Sequence, residues 1–267
     1  IAYALGGGSL SGQRTTYTIE TANFALAKPT RGGYTFTGWT VTGASGAGIA
    51  TSGTTTTVKK GTYGNLVATA RWKANSYEVS FDANSGAGGQ SASVTATYDA
   101  AMPTISTTPP VRAGYAFGGW WDASESTGGT QYYTAAGASA RAWNKVAAAT
   151  LYARWAVVPY AIAYDAAGGE LASGARSSYT VEDAGFDLPM PTRYGYQFDG
   201  WDVEGAEGAG VEDATAEDGS RVTRVQAGTY GDLSCTAKWT LRYDLDVPVA
   251  DPGSVTFEAD SLTGQVR

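Results

Sequence analysis

The sequence predicts a β-rich fold with little helix, built as three small sheet modules in tandem, arranged end to end. Three observations predict it. The phrase Arg-x-Gly-Tyr-x-Phe-x-Gly-Trp occurs at Arg31–Trp39, Arg112–Trp120 and Arg193–Trp201, each copy 81 residues after the one before. Ala-Arg/Lys-Trp then closes each unit at Trp72, Trp155 and Trp239, and Tyr17, Tyr98 and Tyr179 recur at the same spacing of 81. Self-similarity at a fixed period marks a tandem array. Finally, apolar residues alternate with polar ones at period 2, and no segment holds an apolar period of 3.6 over ten or more residues. The modules are expected at residues 1–73, 74–157 and 158–240, with 241–267 left over.

The middle unit shows each element in order. Tyr77, Val79, Phe81 and Ala83 alternate with Glu78, Ser80 and Asp82, the pattern of a half-buried strand. Asn84-Ser85-Gly86 supplies a turn, because Asn and Gly tolerate positive φ. Val94, Ala96 and Tyr98 alternate with Ser93, Thr95 and Thr97, a second strand expected to pair with the first as a hairpin. Met102 to Pro110 contains three prolines and so cannot be an interior strand or a long helix. Tyr115-Ala116-Phe117 leads through Gly118-Gly119 to Trp120, which suggests a bend where the backbone passes close to the ring. After a variable segment, Leu151, Ala153 and Trp155 form the inward side of a last strand. In the first copy Ile1-Ala2-Tyr3-Ala4 matches Val79-Ser80-Phe81-Asp82 and Ile162-Ala163-Tyr164-Asp165. The chain is therefore expected to start inside a repeat, as a segment whose targeting and anchoring signals lie elsewhere.

Composition narrows the function classes. With 16% charged and 43% hydrophobic residues and abundant Thr, Ser, Gly and Tyr, the chain suits an ordered β protein rather than a disordered one. A net charge of −7 and a pI near 4.6 argue against nucleic acid or an anionic membrane as partner, since phosphate binding needs clustered Lys and Arg. No apolar run approaches the length needed to insert in a bilayer, and a monomer is expected. The single cysteine excludes an internal disulfide framework and any Cys-based zinc site. Cys235 stands four residues before Trp239, an offset that gives Ala68 and Leu151 in the other copies, so it is expected in the core. With no histidine in the chain, a Cys–His catalytic pair is impossible.

The recurring string of strand, Asn/Asp-Gly turn, strand, Pro-Thr-Arg-x-Gly-Tyr-x-Phe-x-Gly-Trp, variable loop and Ala-Lys/Arg-Trp resembles the Listeria–Bacteroides repeat family, which includes the B-repeat of internalin-type bacterial surface proteins. The resemblance covers residues 1–72, 75–155 and 160–239. It implies an α+β, β-grasp-like fold and a secreted or cell-wall-attached bacterial protein whose repeats serve as stalk or adhesin modules. It implies no catalytic residues and no cofactor, because Tyr34, Phe36, Trp39, Trp72, Tyr115, Phe117, Trp120, Trp155, Tyr196, Phe198, Trp201 and Trp239 are fold positions. The middle copy departs from its sisters. It reads Pro110-Val111-Arg112 where they read Pro29-Thr30-Arg31 and Pro191-Thr192-Arg193. It also lacks the Gly-Thr-Tyr-Gly found at Gly61–Gly64 and Gly228–Gly231. The array has the form A–B–A′.

Six of the eight tryptophans occupy these repeated positions, where burial of a large ring is the expected reason. Trp121 and Trp143 do not. Trp121 aligns with Thr40 and Asp202, and the offset of Trp143 gives Lys60 and Ala227. Together with Tyr132 and Tyr133 they form the candidate ligand-binding face, for a glycan or a host surface protein; local packing within the middle copy is the alternative. The third copy carries Asp199, Asp202, Glu204, Glu207, Glu212, Asp213, Glu217 and Asp218 without calcium-loop spacing, and Thr37, Thr40, Thr42 and Ser45 stand opposite the first four. A solvated acidic face is expected there, with no metal. No carboxylate pair recurs in phase and no hydrolase or nucleotide motif is present, so an enzyme is not expected. A Lys–Asn isopeptide bond is not expected either, since the lysines share no repeat position. Tyr243 to Val249 and Ser254 to Ala259 have strand character around Asp251-Pro252-Gly253, which leaves 241–267 as the start of a further module or a C-terminal cap.

Overall fold

A computed structural model describes residues 1–215 and 221–242. The expected strands in 241–267 beyond Arg242 therefore lie outside the described residues. The chain divides into two compact units, Ile1–Val158 and Pro159–Arg267. The first holds two repeats and the second holds one. The described residues are β throughout, with no helix among them.

Each repeat is closed by the same long-range pairing. In the first, Ala2–Ala4 pairs in parallel with Val67–Ala74, whose other side pairs antiparallel with Tyr34–Thr42. In the second, Ser76–Asp82 lies parallel to Ala149–Val157, which is antiparallel to Tyr115–Trp121. In the third, Tyr160–Asp165 lies parallel to Leu233–Leu241, and that strand is antiparallel to Tyr196–Glu204. The hairpin expected in the middle copy forms, with Val94 opposite Val79 and Ala96 opposite Tyr77. A two-residue counterpart pairs Tyr160 with Tyr179 in the third copy. The proline-rich stretch contributes only Pro110–Val111, paired with Ala87–Gly88, in keeping with the missing amide donors of proline.

The Gly-Trp step of the motif is a β-bulge in all three copies. The register of the motif strand shifts between Phe36 and Gly38, between Phe117 and Trp120, and between Phe198 and Trp201. In a regular strand, residues three apart face opposite sides of the sheet. The extra residue restores a common side. Phe36 and Trp39 consequently meet edge to face with ring centroids 5.3 Å apart, as do Phe117 and Trp120 at 5.4 Å and Phe198 and Trp201 at 5.5 Å. The bulge glycines Gly38, Gly119 and Gly200 have φ of 135°, 100° and 107°, a region open mainly to glycine. Trp39, Trp120 and Trp201 are buried, and Phe36, Phe117 and Phe198 half-buried beside them.

The remaining motif positions have equally local reasons. The guanidinium of the leading arginine stacks on the motif tyrosine: Arg31 over Tyr34 at 3.6 Å, Arg112 over Tyr115 at 3.8 Å and Arg193 over Tyr196 at 3.8 Å. The closing tryptophans donate their indole N–H to carbonyls after the first strand, Trp72 to Leu5, Trp155 to Ala83 and Trp239 to Ala166. Leu151, Ala153 and Trp155 all point inward, and Cys235 is buried at the matching position of the third copy.

Candidate functional site

The aromatic face expected in the middle repeat is not a surface. Tyr132, Tyr133 and Trp143 are 1%, 0% and 0% exposed, and they belong to the repeat's core together with Trp120 and Leu151. Tyr132 packs against Trp143 with centroids 5.0 Å apart and donates its hydroxyl to Asn144 Oδ1 at 2.6 Å. Tyr133 donates to the carbonyl of Pro103 at 2.8 Å. The indole N–H of Trp143 finds no acceptor among the described residues, so the ring contributes volume rather than a polar contact. Trp121, the fourth member, is half-buried beneath the guanidinium of Arg154, 3.9 Å from its ring.

The physical reason for this correction is the different build of the middle copy. The first and third copies carry a second, three-stranded sheet, formed by Phe24–Ala25, Thr55–Val58 and Ile49–Ser52 in one and by Phe186–Asp187, Arg221–Val225 and Val211–Thr215 in the other. The middle copy has no such sheet among its described residues. It adds Gln131–Tyr133 as a fifth strand to its main sheet, with a bulge between Trp120 and Trp121. Large rings cover the core where the sister copies use strands. The aligned positions in the sister copies, Thr40, Lys60, Asp202 and Ala227, are exposed, whereas Trp121 is half-buried and Trp143 buried, because the neighbours of these positions differ in the middle copy.

The loop after Trp121 is held by charge and backbone together. Lys145 Nζ lies 2.8 Å from Asp122 Oδ2, and the amide of Thr130 donates to Asp122 Oδ1 at 2.5 Å. Burial pushes the Asp122 carboxyl up, but the hydrogen bonds from Lys145 and Thr130 outweigh it and leave the group below its ordinary value. The Asp122 hydrogen bond holds the Lys145 ammonium above its ordinary value. Arg154 donates to the carbonyls of Glu125 and Gly128 at 3.0 and 2.7 Å, which fixes the loop on the sheet. This is a structural ion pair, and both shifts favour the charged forms.

The acidic residues of the third copy do not converge. Among the described residues no three carboxylate, thiol or imidazole groups stand close enough to hold a metal ion. Asp199 accepts from the hydroxyl of Thr240, and Asp187 is engaged by Arg224 at 2.6 Å. Glu217 and Asp218 lie outside the described residues. A groove of about 490 Å³ runs beside the motif of this copy, lined by Arg193, Tyr196, Phe198, Arg221, Trp239 and Arg242, among others. Arg193 is already committed there, stacked on Tyr196 and donating to the carbonyl of Ala167 at 3.1 Å.

The most consistent functional geometry is the path of the chain through each repeat. A parallel first and last strand means that the polypeptide enters at one end of the sheet and leaves at the other. In the middle copy Ala149 lies opposite Val79 and Tyr152 opposite Asp82, and the last strand then continues to Val157. The first and third copies do the same, with Ala4 opposite Thr69 before the exit at Ala74 and Asp165 opposite Thr236 before the exit at Leu241. This path was not foreseen from the sequence, where both strands were legible but their mutual direction was not.

Comparison with known proteins agrees with the repeats. The profile of the Listeria-Bacteroides repeat domain matches residues 1–63, 77–154 and 160–227. A protein of Evansella cellulosilytica, provisionally named a Gly-rich membrane protein, is 29% identical over 170 residues. That match covers 63% of this chain and 18% of the relative, so the chain spans under a fifth of that protein's length. No solved structure matches. Three in-phase matches, each containing the bulged Gly-Trp step and its stacked arginine, establish that this chain belongs to the Listeria-Bacteroides repeat domain family.

Proposed function

We propose that this chain is a non-catalytic spacer segment of a bacterial surface protein, secreted or attached to the cell wall, in which tandem repeats hold a distal part away from the cell. One observation carries the reading: in every repeat the parallel pairing of first and last strands delivers the chain to the opposite end of the sheet. A module of this kind adds length to whatever it is inserted into. An antiparallel pairing of the same strands would return the chain to where it started. The repeat family and the membrane-protein name of the Evansella relative support a surface setting. The strand order second, first, last, third in the middle and third copies, with a parallel central pair, supports a β-grasp-like assignment. Module limits at residues 1–73, 74–157 and 158–240 belong to this reading, with the closing strands running one residue further, to Ala74 and Leu241, in the first and third copies. Glycan or host-protein capture by the middle copy has lost its basis, because Tyr132, Tyr133 and Trp143 are buried.

Small-angle scattering tests the proposal. A repeat of this size has a radius of gyration of about 12 Å and a diameter of about 30 Å, so three in line give about 27 Å. A single globule of the same length would give about 18 Å. The extended value is expected; a value near that of the globule would overturn the spacer reading.

A further inference from the structure

The phase-matched tyrosines Tyr17, Tyr98 and Tyr179 do not perform the same task. Tyr17 donates its hydroxyl to the carbonyl of Gly64 at 2.7 Å, and Tyr179 donates to that of Gly231 at 2.5 Å. Both acceptors are the last glycine of the Gly-Thr-Tyr-Gly segment. The next residue is threonine in each case, and its amide is held by a nearby side chain: Thr18 by Thr21 Oγ1 at 2.9 Å, Thr180 by Asp183 Oδ2 at 2.7 Å. The tyrosine there ties together parts of its own repeat.

The middle copy lacks Gly-Thr-Tyr-Gly, and Asp99 replaces the threonine. Asp99 adopts φ of 58°, a left-handed conformation that aspartate tolerates and a β-branched residue resists. Its amide donates to the carbonyl of Trp143 at 2.8 Å, so a tryptophan peculiar to this copy sets the turn. The ring of Tyr98 then packs on the first repeat. It meets Tyr34 edge to face, with centroids 5.4 Å apart and planes at 75°. It also covers Gly33 so closely that a Cβ there would lie 2.4 Å from Tyr98 Cγ. The hydroxyl of Tyr34 donates to Asp99 Oδ2 at 2.6 Å. Arg31, stacked on Tyr34, brings a guanidinium nitrogen 4.0 Å from the same oxygen. The linker is tied in as well, since the amide of Asn75 donates to Gly33 O and the amide of Tyr98 donates to Asn75 O, both at 2.9 Å.

We propose that Tyr98-Asp99 is an inter-repeat latch, and that Arg31, Gly33 and Tyr34 form its receptor, a face built to accept a tyrosine–aspartate pair from the repeat that follows. Glycine supplies a floor on which an aromatic ring can lie. The edge of Tyr34 supplies the wall, and its hydroxyl with Arg31 supplies the counterpart for the carboxylate. The departure of the middle copy from its sisters thereby acquires a purpose: loss of the internal hydroxyl acceptor and gain of an acid convert a fold tyrosine into a joint. The joint fixes the orientation of the second repeat on the first, whether or not the chain serves as a spacer.

The test uses the full chain with Cys235→Ala, the residue found at that position in the first copy. Spin labels at Thr40→Cys and Ala116→Cys report across the joint, and labels at Ala92→Cys and Ala116→Cys report within the middle repeat. Double electron–electron resonance should give one narrow distance distribution across the joint. Tyr98→Ala should abolish that narrow peak and leave the distribution within the repeat unchanged. An equally narrow peak across the joint in Tyr98→Ala would overturn the latch. Loss of the narrow peak within the repeat would overturn it too, since Tyr98 would then be a fold residue. A broad distribution across the joint before any substitution at Tyr98 would also refute it.

Discussion

Gly86 sits so close beneath Trp155 that a Cβ on the glycine would lie 2.4 Å from Cζ2 of the indole. Gly8 under Trp72 and Gly169 under Trp239 repeat the relationship at 2.5 Å each. The closing tryptophan of every repeat thus seals the turn after the first strand and ties it to the last.

Gly86→Ala should therefore destabilise the protein although φ there is ordinary. The carbonyls of Ala83 and Val111 would each lie 3.0 Å from the new methyl, so the strain cannot be relieved by one side chain moving. Overpacking of this kind costs about 1–3 kcal/mol. Thermal unfolding followed by circular dichroism should show a melting point lower by several degrees. An unchanged melt would mean that Trp155 is not held as described.

Adjacent tryptophans should behave differently. Trp120 is 2% exposed and packs edge to face on Phe81 at 5.0 Å, so Trp120→Ala should cost about 3–5 kcal/mol. Trp121 is half-buried under Arg154, and Trp121→Ala should cost clearly less. Urea unfolding of the two variants measures the difference. Equal losses would place the bulge one residue away from where it is described.

Stability should fall at high pH. Burial raises the Cys235 thiol to about 11, and burial raises Tyr133, Tyr164 and Tyr179 to about 12. These groups are kept neutral by the fold, so their contribution is complete below the ordinary values of 9.0 for the thiol and 10.0 for the phenols. It is lost as pH rises through about 11 and 12. The share of tyrosinate absorbance that belongs to these three phenols should appear late and together with unfolding. In folded protein below that range, Cys235 should react slowly with a thiol reagent and rapidly in denaturant. Early, uncoupled ionisation of all the tyrosines would contradict the burial.

Lys145 and Asp122 should remain an ion pair and not condense to an amide. Condensation needs a neutral amine and a protonated acid, and the environment shifts both groups the other way. The lowered Asp122 group contributes stability above its unfolded value and loses that contribution as pH falls through its folded one. Intact-protein mass spectrometry should give the full chain mass, near 27.6 kDa, with no loss of water. A species lighter by one water, removed by Lys145→Ala, would show an isopeptide bond instead.

Much of the fold was legible in the sequence because strand phase is a local property. Alternation placed Val79, Leu151, Ala153 and Cys235 inward, and all four are buried. The recurrence of Arg, Tyr, Phe, Gly and Trp at a spacing of 81 marked the core positions of three modules. The candidate face was misread for an equally definite reason. Trp121 and Trp143 were compared with residues at matching offsets, but the middle copy covers its core with a fifth strand instead of a side sheet, so matching offsets do not have matching neighbours.

By itself the sequence determined the number of repeats, the principal strands of the repeated unit and the inward positions along them, since backbone alternation carries that information over a few residues. Only the tertiary structure decided how those pieces meet. The parallel direction of first and last strands depends on a pairing across some 70 residues, as between Val79 and Ala149. The bulge that puts Phe117 and Trp120 on one side is a register shift against a partner strand. The diversion of Tyr98 onto Gly33 depends on which acceptor its own repeat no longer offers. Each is set by a neighbour distant in the chain, and local pattern holds no record of distant neighbours.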